Sequence, residues 1–352
     1  MVGKGMARVA ILGAGDMGMA ILTPLTGRHE ARLWGTPHDA AIITRLQAGE
    51  PHPRLGVRAD EGVRLCPPAS LNEALDGAEI AVLAVSSHAV RPVVHEIAPF
   101  LAGVRAMVIV SKGLDQAGAG GPVQRLSVAA AEHTRVPVVA VGGPGIAREV
   151  AFGIPTAAVF GGVSVDALRL TRQVFSTPDY LVETTTDIAG VELAAALKNA
   201  FAMSFGMVDG AEKVSGQAYA NLRAALFPRA MVELRDLVVS LGGRPETVYG
   251  LAGLGDLQVT AAAGRNRLLG ERIGAGSTAA DAVRDLGAAG ITTEGFAVTE
   301  LGYRLAHEIC AGDDAALRRR FPLLAGLERI AHADAPPVAT LWEAVRAGVG
   351  QV

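Results

Sequence analysis

Cysteine is nearly missing from this chain: two residues in 352, Cys66 and Cys310. They lie far apart in sequence and form no CxxC, which excludes a disulfide framework and a thiol-redox pair. Aromatic residues make up only 4%, so a core has to be built from small aliphatics and close backbone contacts. The net charge is only -3, which gives nucleic acid no general reason to bind. The basic run Arg318, Arg319 and Arg320 reads as a solvated helix end. The eight histidines are scattered without an HxH or HExxH pattern, so no metal site is expected. A GxSxG nucleophile turn is also missing. No uninterrupted apolar run reaches the ~18 residues a bilayer span needs, and the start, "MVGKGMARVAILGAG", has no signal-peptide cleavage region. A soluble cytoplasmic protein is therefore expected.

What is present divides in two. Up to about Thr186, short apolar runs alternate with amphipathic stretches such as "VRPVVHEIAPFL" (90–101). The runs are "ARVAIL" (7–12), "EARLWG" (30–35), "EIAVLAV" (79–85), "AMVIVS" (106–111), "PVVAVG" (137–142), "TAAVF" (156–160) and "YLVET" (180–184). Strands separated by helices read as βαβ units with a largely parallel sheet. Pro24 should kink or end the first helix early. "AGAGG" (117–121) reads as a short glycine loop. Beyond Thr186 the strand runs stop. Alanine- and leucine-rich periods follow at 188–209, 217–241, 246–251, 278–286, 293–311 and 337–347, a helical pattern. The fold class expected is α/β: an N-terminal doubly wound Rossmann-type sheet over 1–186 and an all-helical domain over 187–352.

"VAILGAGDMG" (9–18) sets Gly13, Gly15 and Gly18 directly after the first strand. In such a turn the first glycine permits the tight bend. The second lets the backbone approach a pyrophosphate, and the third allows the helix to pack on the sheet. The helix N-terminus would offer N–H groups to phosphate. The alternative is a glycine-rich structural turn. After the second strand, "LWGTPHD" brings Thr36 and His38 with no acid immediately following, which leaves NAD against NADP open and leans toward NADP.

Three further stretches carry chemistry. Lys112 ends the fourth strand run, and "GGPGIAREV" (142–150) ends the fifth; ligands of open α/β sheets bind at such carboxyl ends. Lys198 stands in the apolar helix "GVELAAALKNAF" (190–201). A lysine there must be paired, carry a lowered pKa, or reach water, and a lowered pKa suits general acid/base work. An exposed lysine on a polar stripe is the plain alternative. Asp256 is bracketed by glycines in "GLAGLGDLQVT" (250–260), which also reads as an ordinary helix-joining loop. Arg265 and Asn266 stand together in "AGRNRLLG" (263–270) and suit an anionic group; surface charge is the alternative.

On "GAGDMG", "SKGL", "GVELAAALKNAFAMSFGMVDG", "GRPETVYGLAGLGDL", "RNRLLG" and "TTEG", in that order along nearly the whole chain, the sequence resembles the bacterial NAD(P)-dependent glycerol-3-phosphate dehydrogenases. The resemblance implies hydride exchange between nicotinamide and C2 of glycerol 3-phosphate or dihydroxyacetone phosphate. It implies Lys198 as the proton-transferring lysine and Lys112 as a substrate contact near the cofactor. Asp256 would orient a lysine or hydroxyl, and Arg265 and Asn266 would hold the phosphate, with Arg265 also touching cofactor. Glu294 and Thr292 would lie at the cofactor, and a homodimer is implied.

Departures from the family pattern are Asp16 and Met17 in place of serine and tryptophan, Thr36 in place of arginine, and "PHPRLGV" (51–57). Gly145 and Gly264 each replace a serine, leaving Gly143 and Ala147 to offer backbone contacts on cofactor and substrate. A carboxylate at residue 16 is unfavourable beside a pyrophosphate unless it points away. The two lost hydroxyls suggest a reshaped pocket. Two other readings stand beside the first: the same hydride chemistry on a related polyol phosphate or small anionic alcohol, and a dinucleotide sensor without turnover.

Overall fold

A computed structural model describes residues 5–118 and 120–348; Ala119 of the 117–121 glycine loop lies outside the described residues. Ten strands occur among the described residues, β1 (Arg8–Leu12), β2 (Glu30–Trp34), β3 (Arg64–Cys66), β4 (Ile80–Leu83), β5 (Ala106–Ile109), β6 (Leu114–Gln116), β7 (Val123–Arg125), β8 (Val138–Gly142), β9 (Thr156–Gly162) and β10 (Tyr180–Thr185). Eight of them form one sheet in the order β10-β9-β8-β5-β4-β1-β2-β3, and β6 pairs with β7. All neighbours in the large sheet run parallel except β8 and β9. The central strands are apolar along their length because both faces are covered: β4 and β5 are buried at every residue. Two apolar clusters lie on the two faces, one holding Val9, Ile11, Leu33 and Val82, the other Ala10, Leu12, Trp34 and Leu83. Those alternate positions along β1 follow the two-residue period of a strand.

The first helix covers only Asp16–Ala20; the chain then passes through turns that contain Pro24, as the fixed proline ring requires. Three strands were not legible in the sequence, β3, β6 and β7. Each has three residues, too few for an alternating pattern to register.

By contact the chain divides into two compact units, the first ending at Glu192 and the second running from Leu193, with Gly121–Val123 grouped with the second. Beyond Leu193 the described residues are helical. The segments expected at 188–209 and 217–241 are the helices Ile188–Ser215 and Ala220–Ser240. Helices Asp256–Ala263, Arg265–Gly274, Asp314–Arg320 and Pro322–Ala333 were not among those expected. Arg318, Arg319 and Arg320 end one of them and are exposed. The helix Ile188–Ser215 is long and apolar enough to cross a membrane by length and composition, yet 94% of its apolar window is buried inside the protein.

Glycine decides how this long helix packs. A Cβ on Gly206 would lie 1.9 Å from the Arg267 carbonyl oxygen, and one on Gly210 would lie 2.0 Å from that of Glu271. In return, Cβ atoms on Gly270 and Gly274 would lie 2.0 Å from the carbonyls of Met203 and Met207. Two glycines spaced by four on each helix thus bring the backbones into direct contact, as small residues at this spacing permit. This contact fixes the helix that begins with Arg265 and Asn266 against the one that carries Lys198. An exposed helical Gly→Ala change gains up to ~1 kcal/mol in propensity. Here Gly206→Ala or Gly270→Ala is expected instead to lose about 1–3 kcal/mol through overpacking, read as a lower thermal midpoint; an unchanged or raised midpoint would contradict this packing.

Candidate active site

Strand β1 pairs with β2 on one side and β4 on the other, so the strand order reverses at β1. The carboxyl ends of β1 and β4 border the crevice where open α/β sheets bind ligands. The glycine turn lies there. Gly13 has φ +109°, and a Cβ on it would stand 2.6 Å from the Ala84 carbonyl oxygen beyond β4. A Cβ on Gly18 would stand 1.9 Å from the Gly13 carbonyl oxygen. Both glycines are demanded by the protein's own packing. Gly15 is not: its φ of -69° and ψ of -173° are open to any residue, and its Cβ would meet no atom within 4 Å. The missing side chain keeps open space against bare backbone, the shape a dinucleotide pyrophosphate needs.

Side chains tie this turn down from two directions. Asp39 Oδ2 accepts the Ala14 N–H at 3.2 Å, the Thr36 N–H at 3.0 Å and the Thr36 hydroxyl at 2.7 Å. A carboxylate therefore does stand at the corner after β2, three residues beyond the position where the sequence showed none. From the other direction comes His52, fully buried. Its Nδ1 faces the N–H groups of Arg54 and Leu55 at 3.4 and 3.3 Å. Nδ1 must accept these, so Nε2 carries the proton and donates to the Ala14 carbonyl at 3.1 Å. Asp16, at the start of the first helix, pairs with Arg54 at 2.8 Å.

Lys112 follows β5, and its Nζ donates to the Gly143 carbonyl beyond β8 at 2.6 Å. A Cβ on Gly145 would lie 3.8 Å from Lys112 Nζ and 3.9 Å from Met17 Cε, ordinary contact distances. A side chain at 145 would fit, and the space beside Lys112 is left open. Ala147 begins the following short helix. In this unit the sequence candidates Gly13, Gly15, Asp16, Met17, Gly18, Thr36, Lys112, Gly143, Gly145 and Ala147 all follow the carboxyl ends of strands.

In the second unit Lys198 is buried and donates to Asp256 Oδ1 at 2.8 Å and to Thr260 Oγ1 at 2.6 Å. The Thr260 hydroxyl stands 3.4 Å from the same carboxylate oxygen. Asp256 opens its helix after a π-turn at Leu251–Gly255. That turn needs Gly253, whose Cβ would lie 2.1 Å from the Val248 carbonyl oxygen. The glycine-bracketed stretch is thus a helical bend that aims Asp256 inward. Thr260, one turn further on, was not singled out from the sequence, although its i+4 spacing from Asp256 puts both on one face.

Asn266 is buried, and its Oδ1 accepts the N–H groups of Glu294 and Gly295 at 3.1 and 2.9 Å. This fixes the amide orientation and places the "TTEG" segment. Asn199 Nδ2 donates to Glu294 Oε2 at 3.4 Å. Arg265 is exposed at the first position of its helix, and Thr292 is also exposed. Gly264 precedes it because a Cβ there would stand 2.6 Å from the Thr260 carbonyl oxygen; packing beside Thr260 accounts for this departure.

Two family models match the chain: the N-terminal part of the NAD-dependent glycerol-3-phosphate dehydrogenases over residues 8–166 and their C-terminal part over 187–341. The chain belongs to this family. It is similar to the NADP(+)-dependent glycerol-3-phosphate dehydrogenase of Archaeoglobus fulgidus, with 39% identity over 86% of this chain and 91% of that protein. It is similar to the NAD(P)+ glycerol-3-phosphate dehydrogenase of Koribacter versatilis, with 35% identity over 86% and 88%. Among solved structures, the glycerol-3-phosphate dehydrogenase of Coxiella burnetii matches with a TM-score of 0.81 at 29% identity, covering 96% of this chain and 98% of that one.

One signal for the site was present in the sequence and unused. Of 32 lysines and arginines only four are lysines: Lys4, Lys112, Lys198 and Lys213. Guanidinium does not deprotonate, so a proton-transferring cation would have to be one of these few lysines; Lys213 is instead an exposed partner of Glu271.

Burial holds the His52 imidazole below its ordinary pKa. Folding therefore favours the neutral ring, and this contribution is complete above the unfolded value of about 6.5. It is lost as pH falls below that value, by up to about 1.4 kcal/mol per pH unit. Wild-type stability is expected to fall more steeply from pH 6.5 to 5 than that of His52→Gln, in denaturant titrations at each pH. Equal slopes would contradict the neutral assignment.

Proposed function

We propose that this protein is an NAD(P)-dependent glycerol-3-phosphate dehydrogenase that interconverts sn-glycerol 3-phosphate and dihydroxyacetone phosphate. The observation that carries the reading is the buried Lys198–Asp256–Thr260 cluster. A buried ion pair is a poor source of stability, because desolvation offsets its Coulomb gain. A buried, hydrogen-bonded lysine–carboxylate pair is therefore more readily explained by a functional role than by folding.

When bound, the dinucleotide supplies or accepts the hydride. Lys198 Nζ gives a proton to the C2 oxygen as the ketone is reduced and takes it back on oxidation. Asp256 and the Thr260 hydroxyl hold Nζ in line through their contacts at 2.8 and 2.6 Å. Arg265 and Asn266 bind the phosphate, Arg265 with a fork that suits its oxygens. Lys112, with Gly143 and Gly145 beside it, contacts substrate near the cofactor. Gly13, Gly15, Gly18, Asp16, Met17, Thr36 and Ala147 form the cofactor surround of the first unit, and the family resemblance assigns cofactor contacts to Thr292 and Glu294 as well. Residues 1–186 serve as the dinucleotide-binding domain and 187–352 as the helical substrate domain. The lean to NADP rests on the lack of an acid immediately after β2 and agrees with the cofactor named for the Archaeoglobus relative; Asp39 reaches that corner but is engaged by Thr36 and the Ala14 N–H. On the family resemblance, the working form is a cytoplasmic homodimer.

The open space at Gly145 favours a second reading, the same chemistry on a bulkier polyol phosphate. A sensor without turnover has no use for the buried lysine.

Purified protein given dihydroxyacetone phosphate is expected to oxidise NADPH or NADH with a KM of about 1 mM or less, followed by loss of reduced-nicotinamide absorbance. Turnover with a larger keto-phosphate alone would select the second reading, and no turnover with any keto-phosphate would overturn both.

A further inference from the structure

Asp16 is anomalous as the side chain next to Gly15. The open space at Gly15 suits a pyrophosphate, and a carboxylate beside it repels one. Its neighbour supplies the resolution. Arg54 Nε meets Asp16 Oδ1 at 2.8 Å, with the two side chains 50% and 30% exposed. A pair this open contributes little to stability, so folding alone does not explain why it is built.

It is nevertheless built with care. Arg54 lies on the 51–57 segment, which is anchored beneath by His52. His52 holds the Ala14 carbonyl at 3.1 Å and takes the N–H of Arg54 itself at 3.4 Å. Leu55 is buried in the core, and its carbonyl accepts from Arg148 at 3.4 Å. The backbone of Arg54 is therefore fixed to the residue that precedes Gly15. From the other side, Asp39 brings a second carboxylate onto the Ala14 N–H at 3.2 Å. The turn thus holds two acids at the place where an anion has to come.

We propose that Arg54 is a positioning residue of the dinucleotide site, which neutralises Asp16 so that the glycine turn accepts a pyrophosphate. His52 fixes the segment that presents it. The inference rests on the reading that this turn binds NAD(P).

The test is a double-mutant cycle read by direct binding of NADH and of NADPH, through nicotinamide fluorescence without substrate. Arg54→Ala exposes an uncompensated carboxylate and is expected to raise both dissociation constants about tenfold or more. Asp16→Asn alone should leave them equal or lower. Asp16→Asn added to Arg54→Ala should recover most of the loss, a rescue that a merely structural role for Arg54 would not give. The ligand-free thermal midpoints should stay close to wild type. Unchanged binding in Arg54→Ala overturns the proposal, as does a double variant no better than Arg54→Ala. Loss confined to NADPH would assign Arg54 to the 2′-phosphate and also overturn it. A wild type that binds neither dinucleotide would overturn the NAD(P) reading as well; a wild type that binds both while Arg54→Ala binds equally removes this inference alone.

Discussion

A lysine ammonium and an aspartate carboxylate buried 2.8 Å apart set the demands that the helical unit meets. Removing two charges from water is costly, and the cost is tolerable only if geometry and further hydrogen bonds are good. Thr260 supplies one such bond. Backbone shape supplies the geometry. The π-turn turns Asp256 toward Lys198, and Gly253 permits that turn. The glycines at 206, 210, 270 and 274 let the backbones of the long helix and its neighbour touch, and the pairs Arg267–Asp209 and Lys213–Glu271 link the same two helices. With so little space in that contact, Lys198 has a fixed base and Asn266 a fixed position from which to cap the Glu294 segment.

The sheet unit solves a different problem, leaving bare backbone uncovered at the turn after β1. Its three glycines do separate jobs. Gly13 and Gly18 are packed against carbonyls, whereas Gly15 faces nothing in the protein. Side chains restrain the turn on both sides of Ala14, Asp39 on the N–H and His52 on the carbonyl. The turn is thus held open before any ligand arrives, which reduces the ordering a ligand would have to impose.

Much of this was legible in the sequence because the signals were periodic or carried by glycine. The apolar runs of β1, β4 and β5 and the long alanine-rich helix are of that kind. Strands of three residues such as β3 left no period to read. The helices Asp256–Ala263 and Arg265–Gly274 were hidden because glycine and charge interrupt their apolar pattern. Asp39 was passed over since its carboxylate reaches back three residues to Thr36, a fold-back that a linear reading of the strand end misses. His52 and Arg54 act on Ala14 and Asp16 across 38 residues of chain, and nothing local announces such a contact. Thr260 comes within reach of the helical period only once Asp256 is placed at a helix start, and the glycines around Asp256 read equally well as a helix-joining loop.

The role of Lys198 as the proton-transferring group is the claim on which the functional reading turns, and chemical rescue tests it most directly. Lys198→Ala should lose turnover while binding the dinucleotide normally. Added small primary amines, from methylamine to propylamine, should restore turnover with saturation, at rates graded by amine acidity as general acid/base transfer requires. Turnover near the wild-type level in Lys198→Ala without any amine would contradict the account.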